Sequence, residues 1–163
     1  MPLLTLYADA SYCPDTGAAG GAYEIVCGDM KMRDRFQMEA ISDSWEAEVM
    51  TYGRAVQALM RDEQFKKYLH DACTIVATLD CSGVETFVLS AKLYSNKGRE
   101  FPPSTLSVRE MHNLLTTYTG SKVIFEHVKS HTDAETIAAF YNSRVDSNAK
   151  KCMLNMRKKL LKG

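Results

Sequence analysis

The chain has 163 residues, of which 45% are apolar and 25% charged, with 20 basic and 20 acidic side chains and a formal net charge of zero. These are the proportions of a soluble globular domain, and at this length about two-thirds of the unfolded surface can be buried in one core. They exclude a helical membrane protein, because no apolar run approaches the roughly 20 residues that a bilayer span requires.

The start, Met1-Pro2-Leu3-Leu4-Thr5-Leu6, has no basic leader and soon meets Asp9, so no signal peptide is expected. Five cysteines lie scattered at 13, 27, 73, 81 and 152, an odd number with no Cys-x-x-Cys pair. That argues against a disulfide framework and a zinc site, and points to a reducing cytoplasm. Charge is unevenly spread. Residues 150–163 hold Lys150, Lys151, Arg157, Lys158, Lys159 and Lys162 and no acid, which leaves 14 basic against 20 acidic residues before them, a net of −6. A basic tail on an acidic body suits a phosphate-bearing partner, although cations also complement the C-terminal end of a helix dipole.

Leu3 to Ala10 reads as a strand, since its apolar run is too short for a helix. Gly17 to Gly21 reads as a turn-rich stretch, Ala22 to Cys27 as a second strand, and Gly28-Asp29 as a hairpin turn. Lys31 to Glu39 reads as a third, partly exposed strand. A helix opens at Ser44, its expected cap, and carries Trp45, Val49, Tyr52, Val56 and Leu59 at spacings of three and four. Glu46 reads as a solvated residue of that helix. A break near Arg61-Asp62 precedes a second piece with Phe65, Tyr68 and Leu69.

Cys73 to Leu79 is rich in β-branched residues and predicts a fourth strand. Gly83 to Leu93 predicts a helix and 95–103 a loop. Ser107-Val108-Arg109-Glu110 reads as a capping box that opens a helix ending at Gly120. Lys122 to Val128 predicts the fifth strand, Ser130 to Phe140 a loop, and 142–162 a basic final helix opened by Asp146. Three strands in series followed by alternating helices and strands predict one α/β domain over 1–163. Its sheet would be mixed and five-stranded, three antiparallel strands then two parallel, flanked by helices.

Four acids stand where such a fold brings distant residues together. Asp9 and Asp80 each end an apolar run, and Glu48 and Asp146 lie on helices able to lean over the same sheet edge. Taken singly, each has an ordinary explanation: Asp146 as a first-turn acid, Glu48 as a solvated one. Asp9 and Asp80 resist it, because a charge ending a buried strand needs a partner or a metal. Four converging carboxylates repel one another unless cations lie between them. Magnesium prefers such oxygen ligands, and two ions about 4 Å apart suit phosphodiester hydrolysis. His131, in the loop Lys129-Ser130-His131-Thr132, is of the residue type whose reference pKa of about 6.5 suits proton transfer or help with product departure.

The motifs Asp9-Ala10-Ser11, Glu48-Val49-Met50, strand-ending Asp80, Val128-Lys129-Ser130-His131 and Asn142-Ser143-Arg144-Val145-Asp146, in that order, resemble ribonuclease H of type 1. The resemblance runs from residue 3 to about 155. It implies the ribonuclease H-like fold and a metal-dependent endonuclease that hydrolyses the RNA strand of RNA–DNA hybrids with two Mg²⁺ ions, for which Mn²⁺ can substitute. Asp9, Glu48, Asp80 and Asp146 would then be the metal-binding carboxylates, with Asp9 bridging the ions, and His131 would help product leave. Hydrolysis would leave a 3′-hydroxyl and a 5′-phosphate, and the enzyme is expected to act as a monomer.

The chain also departs from that pattern. Ala10 replaces a frequent glycine, Ser44-Trp45 replaces the asparagines before the helical glutamate, and Cys81-Ser82 follows the third aspartate. Ser11, Ser44 and Ser82 are left as the candidate substrate contacts. The loop between His131 and Asp146 is longer, and 91–122 lacks the strongly basic handle of some members. Two other readings stay open from sequence: a DNA nuclease or junction resolvase on the same fold, and a non-catalytic nucleic-acid-binding module.

Overall fold

A computed structural model of the chain describes residues 3–69, 73–80, 82–89, 103–127 and 136–163. The described elements, in chain order, are β1 (Leu3–Cys13), β2 (Ala18–Cys27), β3 (Met30–Met38), α1 (Ser44–Arg61), α2 (Glu63–Lys66), β4 (Thr74–Leu79), α3 (Ser82–Leu89), α4 (Pro103–Thr119), β5 (Lys122–His127) and α5 (Ile137–Lys162). They form one five-stranded sheet in the order β3-β2-β1-β4-β5. β1, β2 and β3 pair antiparallel, while β4 and β5 run parallel to β1. This is the mixed sheet that the sequence predicts.

The two faces of the sheet are read from β2, where successive residues point opposite ways. A Cβ on Gly20 would fall 2.1 Å from the Ala149 carbonyl oxygen of α5, and one on Gly21 would fall 2.4 Å from Thr51 Oγ1 of α1. Helices α1 and α5 therefore cover opposite faces. On the α1 side lies the main core: Leu4, Leu6 and Ala8 of β1, Ile75 and Leu79 of β4, Val49, Tyr52, Val56 and Leu59 of α1, and Leu115 of α4. Each large apolar side chain buried there contributes about 1.5–3 kcal/mol. Inside this core the Tyr52 hydroxyl and His112 Nδ1 share a 2.7 Å hydrogen bond. On the α5 side Tyr7 and Ala22 pack against Tyr141, Val145 and Ala149, with the rings of Tyr7 and Tyr141 stacked.

Several boundaries differ from the sequence reading. β2 begins at Ala18, not Ala22, because Ala18 to Gly21 pair with Ser11–Cys13 and Ala10 of β1. Gly28-Asp29 is the β2–β3 turn as expected, with Gly28 at φ +60°. α4 begins at Pro103, so Ser107 lies within the helix and its hydroxyl donates to the Ser104 carbonyl rather than capping. α5 begins at Ile137 behind the cap Thr136, whose side chain accepts from the Ala139 N–H. Asp146 is therefore well inside α5 rather than at its start. Of the predicted loop 95–103, residues 95–102 lie outside the described residues, as does the motif Val128-Lys129-Ser130-His131, while Pro103 belongs to α4.

Candidate active site

Asp9 does not end its strand. β1 continues to Cys13 against β2, while its parallel neighbour β4 stops at Leu79, opposite Ala8. From Asp9 onward one side of β1 is open, and Asp80 follows Leu79 at the corresponding position on β4. The step in the sheet edge sets Asp9 and Asp80 side by side on neighbouring strands. Asp9 shares its strand face with Tyr7, the α5 side, and is only 5% exposed.

The local start of α1 fixes the third acid. Asp43, not Ser44, is the cap: its Oδ1 accepts from the Glu46 N–H at 2.8 Å. Glu46 is buried rather than solvated, and its Oε1 accepts from the Ser42 N–H and hydroxyl at 2.8 and 3.0 Å. This reciprocal arrangement ties the helix entry down at both ends. Glu48, just beyond it, reaches the open edge of β1, where the Ala10 N–H donates to Asp9 Oδ1 at 2.9 Å and to Glu48 Oε1 at 3.3 Å.

Asp146 arrives from the other face. The Asp9 carboxyl is hydrogen-bonded to the carboxyls of both Asp146 and Glu48. Burial, followed by Asp146, pushes the Asp9 pKa up to about 7. Glu48 is raised well above the usual carboxylate range, by burial first, then by the charge of Asp9, with Asp80 adding to the same effect. Asp80 and Asp146 are exposed. The structure thus gathers all four acids at one sheet edge: two held back from ionising, two open to solvent.

The three serines each lie near a carboxylate along the chain. Ser11 is two residues beyond Asp9 on β1, exposed Ser44 opens α1, and Ser82 opens α3 just after Asp80. The side chain of Ser82 and the whole of His131 lie outside the described residues. Sequence reasoning missed the pair that anchors Asp146. Arg144 Nε donates to Glu24 Oε2 at 2.6 Å, and Arg144 Nη2 donates to Glu24 Oε1. Glu24 is 4% exposed, and the Arg144 guanidinium also lies 4.9 Å from the Phe140 ring centroid. A carboxylate inside the apolar run Ala22–Cys27 was the available signal, because a buried charge needs a partner.

Among the described residues no group of three or more His, Cys, Asp or Glu side chains is arranged as a ready metal cage. Magnesium does not require one, since it keeps several waters and binds through a few carboxylates and substrate phosphate. The donor set fits a hard divalent ion: all oxygen, with two acids raised by burial first and by the neighbouring carboxyls second.

No protein-family model matches the sequence, and no curated protein does. Solved structures match over nearly the whole chain. The N-terminal RNase H domain of a Mycobacterium tuberculosis protein has a TM-score of 0.66 at 12% identity, over 98% of this chain and 99% of that one. RNase H1 from the halophilic archaeon Halobacterium salinarum has 0.61 at 17% identity, over 94% and 98%. LC11-RNase H1, isolated from compost by a metagenomic approach and solved in complex with an RNA/DNA hybrid, has 0.65 at 13% identity, over 93% and 97%. The chain has the ribonuclease H-like fold.

Proposed function

We propose that this protein is a divalent-metal endonuclease that hydrolyses the RNA strand of RNA–DNA hybrids. The observation that carries the reading is the meeting of Asp9, Glu48 and Asp146 in one hydrogen-bonded cluster, with Asp80 beside it. It stands on a fold shared with an RNase H1 solved on an RNA/DNA hybrid.

Asp9, Glu48, Asp80 and Asp146 would hold two Mg²⁺ ions, or Mn²⁺ in their place. Bound there, the ions would supply charge neutralisation at the phosphate and a more acidic water. Asp9 lies between α1 and α5, in contact with acids from both, which suits it to be shared by two ions. Its burial keeps the ligand in a fixed orientation. Asp80 and Asp146 stay open to solvent, which leaves room for the phosphodiester and for the attacking water. His131 follows the strand next to β4 and is proposed to assist proton transfer as the product leaves. Ser11, Ser44 and Ser82 are proposed to contact the substrate, with choice of the RNA strand resting on its 2′-hydroxyls and on hybrid shape. The chain is read as a cytoplasmic monomer; among its described residues no helix is long and apolar enough to cross a membrane.

The test is a uniformly labelled RNA–DNA hybrid incubated with purified protein and magnesium, alongside single strands and four-way DNA junctions. Cleavage confined to the RNA of the hybrid is expected. Preferential cutting of junctions would replace this reading with that of a resolvase, and metal-independent binding with no turnover would replace it with that of a binding module.

A further inference from the structure

A groove of about 730 Å³ runs between the outer strand β3 and the flank of α5 that faces away from Asp9. Its position follows from register. Asp9, Ala22 and Arg35 are aligned across β1, β2 and β3, and Tyr7, Glu24 and Arg33 form the next row. Directly paired residues share a sheet face, so Arg33 and Arg35 stand on the α5 side, level with the carboxylates. Val145 and Ala149 of α5 pack on Ala22, between Asp9 and Arg35. The helix is thus a ridge, about 10 Å across, separating the acidic centre from the groove.

The groove is basic and rich in donors. Arg33 and Arg35 form one wall; Ser143, Ser147 and Lys151, at successive turns of α5, form the other. Arg33, Arg35 and Lys151 are exposed, and neither Arg33 nor Lys151 makes an ion pair among the described residues. Arg35 Nη1 donates weakly to Asn148 Oδ1 at 3.4 Å, so Arg35 is held across the groove floor. The acid at the rim, Asp34, is turned back on its own strand, where Oδ1 accepts from the Arg35 N–H. At the N-terminal end of α5, Phe140 is 58% exposed, with the Arg144 guanidinium over one face of its ring and the other face left for a base.

We infer that this groove binds a single-stranded segment of nucleic acid, its phosphates on Arg33, Arg35 and Lys151 and one base stacked on Phe140. Guanidinium, ammonium and hydroxyl donors beside an exposed ring are the combination that holds unpaired strands. A single strand overhanging a duplex seated on the carboxylates is flexible enough to follow the surface over the α5 ridge into the groove. The inference rests on the nuclease reading above and extends it: the groove would favour hybrids that carry a single-stranded overhang.

Two readouts separate the groove from that reading. In an Asp9→Asn background, anisotropy of a labelled single-stranded oligonucleotide reports the groove without cleavage. The double variant Arg33→Glu/Lys151→Glu should weaken binding at least tenfold. It should also lower the slope of log affinity against log salt by about 1.4, since each lost phosphate contact on a single strand removes about 0.7. Phe140→Ala should weaken binding several-fold with the salt slope unchanged. With active protein, the double variant should raise KM for an overhanging hybrid while leaving kcat, and KM for a blunt hybrid, as they were.

Undiminished oligonucleotide affinity in the double variant overturns the inference. So does equal KM for blunt and overhanging hybrids in the unmodified protein, or loss of duplex affinity alone. Lys151→Gln, a mild change on an exposed helix face, repeats the test should the double variant misfold. A protein that cuts no hybrid would defeat the nuclease reading, while the anisotropy result would still stand for the groove.

Discussion

Asp9 of β1 and Asp146 of α5, far apart in sequence, meet in a carboxyl–carboxyl hydrogen bond at the open edge of the sheet. Such a contact needs a proton between the oxygens or a cation in its place. Replacing single acids separates catalysis from stability. Asp9→Asn should lower kcat on a hybrid by about 10²–10³-fold or more, in the range seen when one centrally placed electrostatic group is lost. Asp80→Asn and Asp146→Asn should also lower it. In the absence of metal, Asp9→Asn should unfold at a higher temperature than the unmodified protein at pH 8, because a repelling charge is gone. Steady-state kinetics and thermal melts check the two halves. Full cleavage by Asp9→Asn would remove this residue from the site.

Stability without metal should depend on pH in a defined direction. The Asp9 carboxyl is raised from 3.8 to about 7 in the folded protein, and Glu48 is raised in the same sense. Between about pH 4 and pH 7 the folded chain therefore holds protons that the unfolded chain has released, so stability falls as pH rises through that window. For Asp9 the full loss is on the order of 4 kcal/mol, at 1.36 kcal/mol per unit. Magnesium or manganese should reverse the trend. Binding displaces the protons, so the metal-induced rise in Tm should be larger at pH 8 than at pH 5. Equal shifts at both pH values would contradict the assignment.

The pair that anchors α5 should behave as a buried ion pair. Arg144→Ala leaves the Glu24 carboxylate nearly enclosed without its ion-pair partner, at a cost of about 3 kcal/mol in chemical denaturation. The double replacement Glu24→Leu/Arg144→Leu should recover most of that loss. Because Arg144 holds the helix that carries Asp146, the single variant should also reduce kcat.

Two glycines give contrasting expectations. At Gly20 a Cβ would lie 2.1 Å from the Ala149 carbonyl oxygen and 2.4 Å from the Met153 nitrogen, both backbone atoms. Gly20→Ala must push α5 off the sheet and should cost 1–3 kcal/mol or more, with loss of activity as Asp146 moves. At Gly28 a Cβ would meet nothing within 4 Å, and only the φ of +60° opposes it. Gly28→Ala should cost about 1 kcal/mol and leave activity intact. Denaturant midpoints and hybrid cleavage measure both.

The parts of this fold that were legible in the sequence share a physical cause. Short apolar runs such as Thr74–Leu79 and the helical stripe Val49, Tyr52, Val56 and Leu59 reveal period and burial directly, which gave the five strands and the sheet class. Ends were less legible because partners set them. Ala18 to Gly21 look like a turn in isolation and become strand by pairing with β1. Ser107-x-x-Glu110 imitates a helix start, yet Pro103 begins the helix one turn earlier. Glu46 looks like a surface acid until Ser42 folds back on it. The meeting of the four acids was legible from their contexts, but its asymmetry was not. Only three-dimensional packing distinguishes buried Asp9 from exposed Asp80 and Asp146. The basic groove was invisible for the same reason: Arg33 and Lys151 line one groove only because β3 is the outer strand and α5 lies along it.

The central claim is that these four carboxylates form one metal site. A crystal of the protein soaked in manganese, with anomalous scattering used to locate the ions, tests it most directly. The account predicts two ions about 4 Å apart, both touching Asp9, with Glu48, Asp80 and Asp146 completing their protein ligands. Manganese bound elsewhere, with the Asp9–Asp146 contact still closed at neutral pH, would contradict it.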